Sequence, residues 1–393
     1  MNRNHVPLYL NRTSSFVFIV IHNGVYFMMK SFLVSASVIA LSVFATPVAF
    51  AQTAATNVTI NTQTTTQKGN SNQITISQAT STPTPAASVT SEAKVKQDGD
   101  FNVASITQLG KSDFGFSQVV GSHNTVTQTF AGPSSGSATN NRSEVYQCAT
   151  AACSIGGTAS TYNTATTNLS GTNNVSYIVQ AGNGNTATTK LTGNGGAGAV
   201  ANAAIEQYTD YNTAEIDQTG TSAGLVKIIQ GVTTVGATRN TPVTSPYTIS
   251  SAPAVKLGTY PLGANNFATV TQASGADSGV VNVYQGADFN LAVANQAGAN
   301  QFVEIRQDGK TSADTYGNNN AKVTQELSAT TASAYVIQEG QSNTLTLTQS
   351  AANVKADLAQ FGNLNKLTLT QVTAGASATL TQTGNSNTLT MSQ

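Results

Sequence analysis

The sequence predicts an all-β protein, a β-solenoid of stacked strand-turn-strand rungs with about 22 residues per rung and an amyloid-like cross-β arrangement. Three observations support this fold class: a glutamine-bounded motif that recurs, an alternation of residue types on both sides of it, and a low content of charge. The motif is clearest in QEGQSNTLTLTQ, QFGNLNKLTLTQ and QTGNSNTLTMSQ, which begin at Gln338, Gln360 and Gln382 and are therefore spaced by 22 residues.

The motif consists of Gln, any residue, Gly, two of any, Asn, five of any, and Gln. Five copies fit it without exception, and copies that begin at Gln180, Gln207, Gln285 and Gln296 fit it in part, the first closing on Leu191 instead of Gln. Repetition of four fixed positions indicates a repeat architecture. The five full copies supply the following positions: Gln67, Gly69, Asn72, Gln78, Gln97, Gly99, Asn102, Gln108, Gln338, Gly340, Asn343, Gln349, Gln360, Gly362, Asn365, Gln371, Gln382, Gly384, Asn387 and Gln393.

Each unit alternates with a period of two residues, which is typical of a strand with two unlike faces. Between Asn343 and Gln349 the odd positions are Asn, Leu, Leu and Gln, and the even positions are all Thr. Between Val354 and Gln360 the even positions are Val, Ala, Leu and Gln. The segment that joins two such strands contains Gly, which adopts positive φ without strain, and Asn, which tolerates it. Each unit is therefore predicted to be a strand, a turn and a second strand.

Stacking of the units places like residues on like, at about 4.8 Å from rung to rung. We expect Leu, Val and Ala to form the inner face, and the Gln and Asn side chains of the motif to form amide ladders in which each side chain donates to one neighbour and accepts from the other. A single rung buries too little to fold alone, so stability must come from neighbours. We expect the last rung, which closes on Gln393, to be left open as a template for another molecule.

Composition narrows the function classes. The 393 residues include 17 basic and 17 acidic ones, and only 9% are charged. This leaves no basic face for nucleic acid. The absence of net charge and the strong periodicity also argue against a disordered chain.

The N-terminal region has the features of a secretory leader. Residues 29–51 carry a basic residue, an apolar stretch and the small-residue cleavage site Ala49-Phe50-Ala51, which predicts a secreted chain that begins near Gln52. Residues 1–28 are interpreted as a mis-assigned upstream extension; a membrane-anchored hairpin is the alternative, although its apolar stretch is short for a spanning helix. We expect no transmembrane segment in the mature chain.

Two segments interrupt the repeats. Residues 131–166 contain Cys148 and Cys153, which in an exported protein favour a small disulfide loop. Residues 231–263 contain four of the nine prolines, which favours a loop because proline cannot donate to a strand ladder. The repeats then occupy residues 52–130, 167–230 and 264–393.

The sequence offers little catalytic chemistry, so we predict no enzyme activity, no cofactor and no metal site. His123 is the one histidine beyond the leader, and it lies at a turn position of a degraded repeat. Asp98 and Asp100 could bind Ca²⁺ weakly, but charged turns also keep stacked strands soluble, which is the simpler interpretation. The glycine-rich segment from Gly193 to Val200 lacks the lysine of a phosphate-binding loop.

The repeats resemble those of the curlin family. Ser91 to Gln108 is similar to a curlin repeat, and Gln180 to Ala187, QAGNGNTA, carries its stricter core. The resemblance runs from about Gln67 to Gln393 with gaps. It implies a subunit of curli, the extracellular amyloid pili of bacterial biofilms, with an outer-membrane secretion pore and a nucleator subunit as partners. The chain departs from the family in its length and in its two inserts, which leaves open whether it is a major subunit, a nucleator or a divergent adhesin.

From these observations we expect a subunit that polymerises with itself on the bacterial surface and serves cell adhesion and the biofilm matrix. A monomeric β-solenoid adhesin and an ice-binding protein that uses outward Thr rows remain as alternatives. Seeded polymerisation would distinguish a fibre subunit from a monomeric adhesin or an ice-binding protein.

Overall fold

The computed structural model describes residues 16–21, 24–29, 39–41, 51–53, 61–78, 91–110, 112–131, 139–148, 160–194, 202–220, 224–231, 264–308 and 317–393. The chain divides into two units, residues 1–37 and 38–393. In the first unit, β1 (Phe16–Ile21) and β2 (Gly24–Met29) form an antiparallel pair with Phe16 opposite Met29. None of the described residues belongs to a helix long and apolar enough to cross a bilayer.

The second unit consists of two parallel sheets whose strands alternate along the chain. The first sheet contains β3 (Ile39–Leu41), β5 (Thr62–Lys68), β7 (Glu92–Asp98), β9 (Phe114–Ser122), β11 (Arg142–Gln147), β14 (Val175–Gln180), β16 (Asn202–Gln207), β18 (Leu225–Gln230), β20 (Val280–Gln285), β22 (Phe302–Asp308), β24 (Ser333–Glu339), β26 (Lys355–Phe361) and β28 (Ser377–Thr383), and the short β12 (Ser160–Thr161) pairs with β9. The second contains β4 (Ala51–Thr53), β6 (Gln73–Gln78), β8 (Val103–Gln108), β10 (Thr125–Ala131), β13 (Thr164–Thr172), β15 (Thr186–Asn194), β17 (Thr213–Thr219), β19 (Phe267–Gln272), β21 (Leu291–Gln296), β23 (Asn320–Gln325), β25 (Thr344–Gln349), β27 (Lys366–Gln371) and β29 (Thr388–Ser392).

A strand of the first sheet and the next strand of the second sheet form one rung, so that β5 to β29 make twelve rungs, from rung 1 (β5 and β6) to rung 12 (β28 and β29). Rung 4 consists of β11 and β13. Neighbouring rungs pair in register at the repeat positions, as Leu345 with Leu367 and Gln349 with Gln371 show. The all-β solenoid of stacked rungs is thus confirmed.

The core lies between the two sheets and follows the predicted alternation. Leu345 and Leu347 are fully buried, whereas Thr344 and Thr346 face outward and are half-buried. Leu345, Leu347 and the equivalent inward side chains of the other rungs form one apolar column along the whole stack. A smaller cluster of Ala329, Ala332, Ala351 and Val354 fills the opposite turns of the late rungs. The inward and outward assignment of the repeats is therefore confirmed.

One prediction about the inserts was wrong. Residues 131–166 were predicted to be a loop, but β11 lies inside this range and pairs with β9 and β14. Its inward residues Ser143, Val145 and Gln147 are buried, so β11 is a full strand of rung 4. The motif spacing missed it because 16 residues, 148–163, separate Gln147 from Thr164, where β13 begins. Of the second insert, residues 232–263 lie outside the described residues.

The structure also places two short strands in the predicted leader region. β3 pairs with β5, and β4 pairs with β6, both in parallel. β3 lies inside the apolar stretch of the predicted signal, and β4 spans the predicted cleavage position. The secretory signal itself stays a prediction.

Candidate functional site: the glutamine and asparagine ladders

A ladder of buried glutamine side chains runs along the first sheet. Each Nε2 donates to the Oε1 of the glutamine in the next rung, at 2.8–3.0 Å. The ladder joins Gln147, Gln180, Gln207, Gln230, Gln285, Gln307, Gln338, Gln360 and Gln382, and Gln67 donates to Gln97 in the same way at the other end of the sheet.

The second sheet carries a matching ladder. Its bonds measure 2.6–3.2 Å and join Gln218, Gln272, Gln296, Gln325, Gln349, Gln371 and Gln393, with a separate bond from Gln78 to Gln108. All these glutamines except Gln393 are buried.

The same amide groups also tie the two sheets together. The Nε2 of Gln349 donates to the backbone oxygen of Ser333 at 3.0 Å, and that of Gln360 donates to the backbone oxygen of Thr344 at 3.2 Å. A buried amide costs free energy unless its hydrogens are bonded. Most of the glutamines reach one neighbour along the stack and one across it, so both hydrogens are used; for Gln218 and Gln272 the structure shows only the ladder bond. The predicted glutamine ladder is confirmed and is also a cross-link between the sheets.

The ladders have a direction. Every donor points towards the higher-numbered rung, so the oxygen of the first glutamine of an uninterrupted run has no ladder donor; Gln78, the first in the second sheet, instead accepts from Gln63 of its own rung at 2.9 Å. The structure shows this at Gln67, Gln147 and Gln218, whose Oε1 atoms are buried and have no hydrogen-bond partner. A buried acceptor without a donor costs about 1–3 kcal/mol. Gln147 and Gln218 are covered by Val119 and Leu191 inside the stack, so only Gln67 favours the arrival of another donor.

Three consecutive rungs invert the ladder of the second sheet. At the glutamine position stand Phe130, Leu169 and Leu191, which pair in register between Gln108 and Gln218. Two residues before this position, the flanking rungs 2 and 6 carry the inward residues Ile106 and Ile216. Rungs 3 to 5 carry Gln128, Thr167 and Thr189 there instead, all of them buried. Polar and apolar positions are thus exchanged within rungs 3 to 5.

The inverted rungs bond their buried polar groups across the sheets. Gln128 Nε2 donates to Ser143 Oγ at 2.8 Å, and Ser176 Oγ lies 2.7 Å from Thr189 Oγ1. The buried Ser117 Oγ, Gln128 Oε1 and Thr167 Oγ1 atoms remain without a partner, so the exchange is only partly compensated. In the sequence, the closing of one copy on Leu191 was the only predicted departure at the closing glutamine; the exchange of Ile-x-Gln for Thr-x-Leu in rungs 4 and 5 is the signal that indicates the inversion.

The asparagine ladder differs from the prediction. The side chain Oδ1 of each asparagine mainly accepts the backbone N–H of the asparagine in the next rung, as Asn343 Oδ1 does from Asn365 at 3.0 Å. Where the next rung carries the turn glycine, Nδ2 donates to the oxygen of that glycine, as Asn343 does to Gly362 at 2.8 Å. The Nδ2 atoms of Asn185 and Asn266, which have no such glycine above them, are without a partner. Asparagine is one methylene shorter than glutamine, so it reaches the backbone of the turn and fixes the path of the chain there. Side-chain bonds between asparagines accompany this pattern only in places, as from Asn387 to Asn365 at 3.0 Å.

The turn glycines are required by both conformation and space. Gly340 and Gly362 have φ of +114° and +111°. A Cβ on Gly340 would lie 2.1 Å from the oxygen of Gly362, and one on Gly362 would lie 2.1 Å from the oxygen of Gly384. The same holds for Gly69 and Gly99, while Gly384 shares only the positive φ. The glycines therefore permit close stacking of one turn on the next.

The acidic turn residues have structural contacts. Asp100 Oδ1 accepts the backbone N–H of Asn70 at 2.6 Å, and Asp98 pairs with Lys68 at 3.6 Å. No group of three or more His, Cys, Asp or Glu side chains that could hold a metal ion occurs among the described residues.

His123 lies in a turn, directly before Asn124, with a φ of +59°. Cys148 is disulfide-bonded, and its predicted partner Cys153 lies outside the described residues.

Comparison with known proteins gives no family for this chain. No protein-family model matches it. No curated protein matches it either.

Proposed function

We propose that this protein is a secreted, curli-like fibre subunit that polymerises with itself and serves adhesion and the biofilm matrix. The observation that carries the proposal is the in-register stack of twelve similar rungs, each of which presents strand edges, apolar side chains and glutamine amides to the next. Among the described residues, β28 and β29 of rung 12 are the outermost strands of their sheets, and their outer edges have no partner strand. Leu380, Leu389 and Met391 are only partly buried there, while the equivalent side chains of rung 11 are buried. An unpaired edge above an apolar face is a template for another strand.

The two ends of the stack are complementary in hydrogen bonding. At rung 12, Gln382 Nε2 donates only to the backbone oxygen of Lys366, which leaves a donor for one more rung. At rung 1, Gln67 Oε1 is the buried acceptor without a donor. The one-way ladder of the first sheet therefore favours head-to-tail addition of a second copy, with its rung 1 on rung 12 of the first.

The side chains of these two rungs also match in register. When rung 1 of the second copy stacks on rung 12 of the first, Asn72 lies on Asn387, Ile74 on Leu389 and Gln78 on Gln393. In the chain as described, β3 and β4 pair with rung 1. Removal of the predicted leader at residue 51 takes β3 away and uncovers the edge of β5.

The location and the partners rest on the sequence. The leader predicts export, and the resemblance to curlin repeats implies an outer-membrane pore, a nucleator subunit and a cell-surface fibre. The chain needs no cofactor and carries out no catalysis in this proposal, because strand addition alone extends the fibre.

Seeded polymerisation tests the proposal. Residues 52–393, diluted from denaturant, should form fibres after a lag that preformed fibres abolish, with a meridional reflection near ~4.8 Å. Gln382→Lys should stop elongation on seeds, because it places a buried charge at the growing end. Thr381→Lys, at an exposed neighbouring position, is the matched control and should elongate normally. A β-rich protein that stays monomeric with and without seeds would contradict the proposal.

One observation favours a second function. Thr346, Thr368 and Thr390 stand in register on the outward face of the second sheet. Regular Thr rows on a flat face are the surface expected of a monomeric ice-binding solenoid or adhesin. Thermal hysteresis of the monomeric chain, abolished by Thr368→Lys, would support this alternative.

A further inference from the structure

One edge of the solenoid carries a column of turn residues, one from each rung. Each lies directly before the motif asparagine and has a positive φ, between +45° and +65° in most rungs. The backbone N–H of each residue bonds back to the preceding rung, which keeps the column in line; Tyr211 N, for example, donates to Asn183 O at 2.8 Å. From rung 1 to rung 9 the column reads Ser71, Phe101, His123, Tyr162, Gly184, Tyr211, Asn265, Phe289 and Asn318.

Within rungs 1 to 9, phenylalanine and tyrosine occupy every second position of this column, whereas rungs 10 to 12 carry Ser342, Leu364 and Ser386. They stand in rungs 2, 4, 6 and 8 as Phe101, Tyr162, Tyr211 and Phe289. We call these four side chains the aromatic ridge. Since rungs are spaced by about 4.8 Å, the rings repeat at about 9.6 Å.

The ridge is exposed at a backbone position where large residues are unfavourable. The four rings are 53%, 64%, 63% and 46% exposed. A bulky residue in the left-handed region is uncommon, and Gly or Asn would adopt it at lower cost. Packing in the core does not explain these residues because they lie outside it. A strained, solvent-exposed aromatic side chain indicates a role in contact with something outside the chain.

Part of the ridge is already ordered. The ring of His123 stacks between its neighbours, at 5.0 Å from Phe101 and 4.8 Å from Tyr162, with interplanar angles of 18°. Beyond Tyr162, the ridge alternates with the small or polar residues Gly184 and Asn265. The edge is therefore a line of aromatic surface that is continuous across rungs 2 to 4 and open at Asn265, while the space beside Gly184 is occupied by the ring of Tyr211.

Carboxylates accompany the rings. Asp100, Asp210 and Asp288 directly precede Phe101, Tyr211 and Phe289. One oxygen of each carboxylate accepts a backbone N–H of the preceding rung, at 2.6–2.7 Å. The described contacts leave the second oxygen of each free to accept a hydroxyl.

We propose that the aromatic ridge binds an extended, neutral β-1,4-linked polysaccharide that lies along the solenoid edge. Aromatic rings pack against the C–H faces of sugars, and carboxylates accept hydrogen bonds from their hydroxyl groups. An extended β-1,4-linked chain repeats every two sugar units, at a length close to two rungs. A polymer with this repeat meets an equivalent ring at each step.

The charge of the edge selects among partners. Three aspartates along one line disfavour a polyanionic glycan, and they disfavour the same edge of a second copy, because like charges would face each other. A neutral polymer meets no such cost. The inference does not depend on fibre formation, since the ridge lies within a single chain.

Co-sedimentation with microcrystalline β-1,4-glucan tests the inference on residues 52–393, both freshly diluted and assembled. Binding should be insensitive to salt, and soluble alginate, an anionic polysaccharide, should not compete. The test variant replaces all four rings by serine, which occupies the same column at Ser71, Ser342 and Ser386. Affinity should fall by about tenfold for each ring that contributes fully.

Two control variants separate the ridge from general hydrophobicity. Tyr335→Ser removes an aromatic ring of similar exposure, 44%, that lies within β24 away from the ridge, and should bind normally. Asn265→Phe with Phe289→Asn keeps the composition but moves one ring from rung 8 to rung 7, and should weaken binding as much as the loss of one ring. Circular dichroism shows whether the variant with four serines folds. If it does not fold, the swap variant tests the proposal in its place.

Several outcomes would overturn the inference. Equal binding by wild type and the serine variant would exclude the ridge, and equal losses in the off-ridge control would indicate unspecific adsorption. Unchanged binding by the swap variant would show that the spacing has no role. Altered fibre bundling in the serine variant with normal glucan binding would assign the ridge to lateral contact between copies instead.

Discussion

Gln338 donates a hydrogen bond from its Nε2 atom to the Oε1 atom of Gln360, 22 residues later, at 2.8 Å. Both side chains are fully buried. The bond is one step of a ladder in which each buried amide donates to an acceptor that the next rung supplies. Stability in this protein is therefore a property of neighbours, and it increases with each rung added.

Loss of one ladder amide should cost more than loss of one hydrogen bond. Gln360→Leu leaves the donor of Gln338 and the acceptor of Gln382 buried without a ladder partner. We expect a loss of about 3 kcal/mol, measured as a lower urea midpoint. Thr348→Leu, on the outward face of β25, is the control. Equal losses in both variants would show that the ladder is not a major source of stability.

The turn glycines should tolerate no side chain. Gly362→Ala combines a φ of +111° with a Cβ 2.1 Å from the oxygen of Gly384. We expect a loss of more than about 3 kcal/mol, since the backbone of two rungs must separate. Gly375→Ala, at φ of +75° with nothing within 4 Å, should cost only about 1 kcal/mol. Comparable losses at the two positions would mean that conformation alone, and not rung contact, requires glycine.

A charge should be tolerated on one face of a strand only. Leu347→Lys buries an ammonium group in the apolar column, and we expect it to abolish folding of the late rungs and growth on seeds. Thr346→Lys points outward from the same strand and should elongate at close to the normal rate. Circular dichroism and seeded thioflavin fluorescence measure both effects. Failure of the two variants alike would contradict the orientation of β25.

Stability should decrease as the pH rises from about 4 to about 6. Burial raises the pKa of the Asp308 carboxyl to about 6, with a smaller contribution from Glu339 and an opposing one from the paired Arg306 guanidinium. An aspartate of an unfolded chain titrates near ~3.9. Between these values the folded state binds the extra proton, so the free energy of unfolding falls with rising pH, by at most about 3 kcal/mol.

The variant Asp308→Asn tests this pH dependence. It keeps an acceptor for Arg306 but removes the titration, so the pH profile should flatten and the protein should gain stability at pH 7. Asp357→Asn, at an exposed outward position of β26, is the control and should leave the profile unchanged. Chemical denaturation at a series of pH values measures both, and an unaltered profile in Asp308→Asn would contradict the assignment.

The local geometry of the repeats was predictable from the sequence. Strict alternation in segments such as Asn343–Gln349 specified which side chains face inward, because a strand has a period of two. The spacing of Gly and Asn in the motif located the turns. β11 escaped detection because it has the alternation without the motif, and a long connection separates it from its partner strand.

The sequence by itself determined the rung: two strands, a glycine turn, an apolar inner face and a buried glutamine at each strand end. Only the tertiary structure decided the direction of the ladders, the exchange of polar and apolar positions in rungs 3 to 5, the use of Asn side chains on the backbone of the next turn, and the line of alternate aromatic rings. These features depend on which residue of one rung lies over which residue of the next. Inserts of unequal length change that register along the chain, so contacts between rungs become visible only when the rungs are stacked.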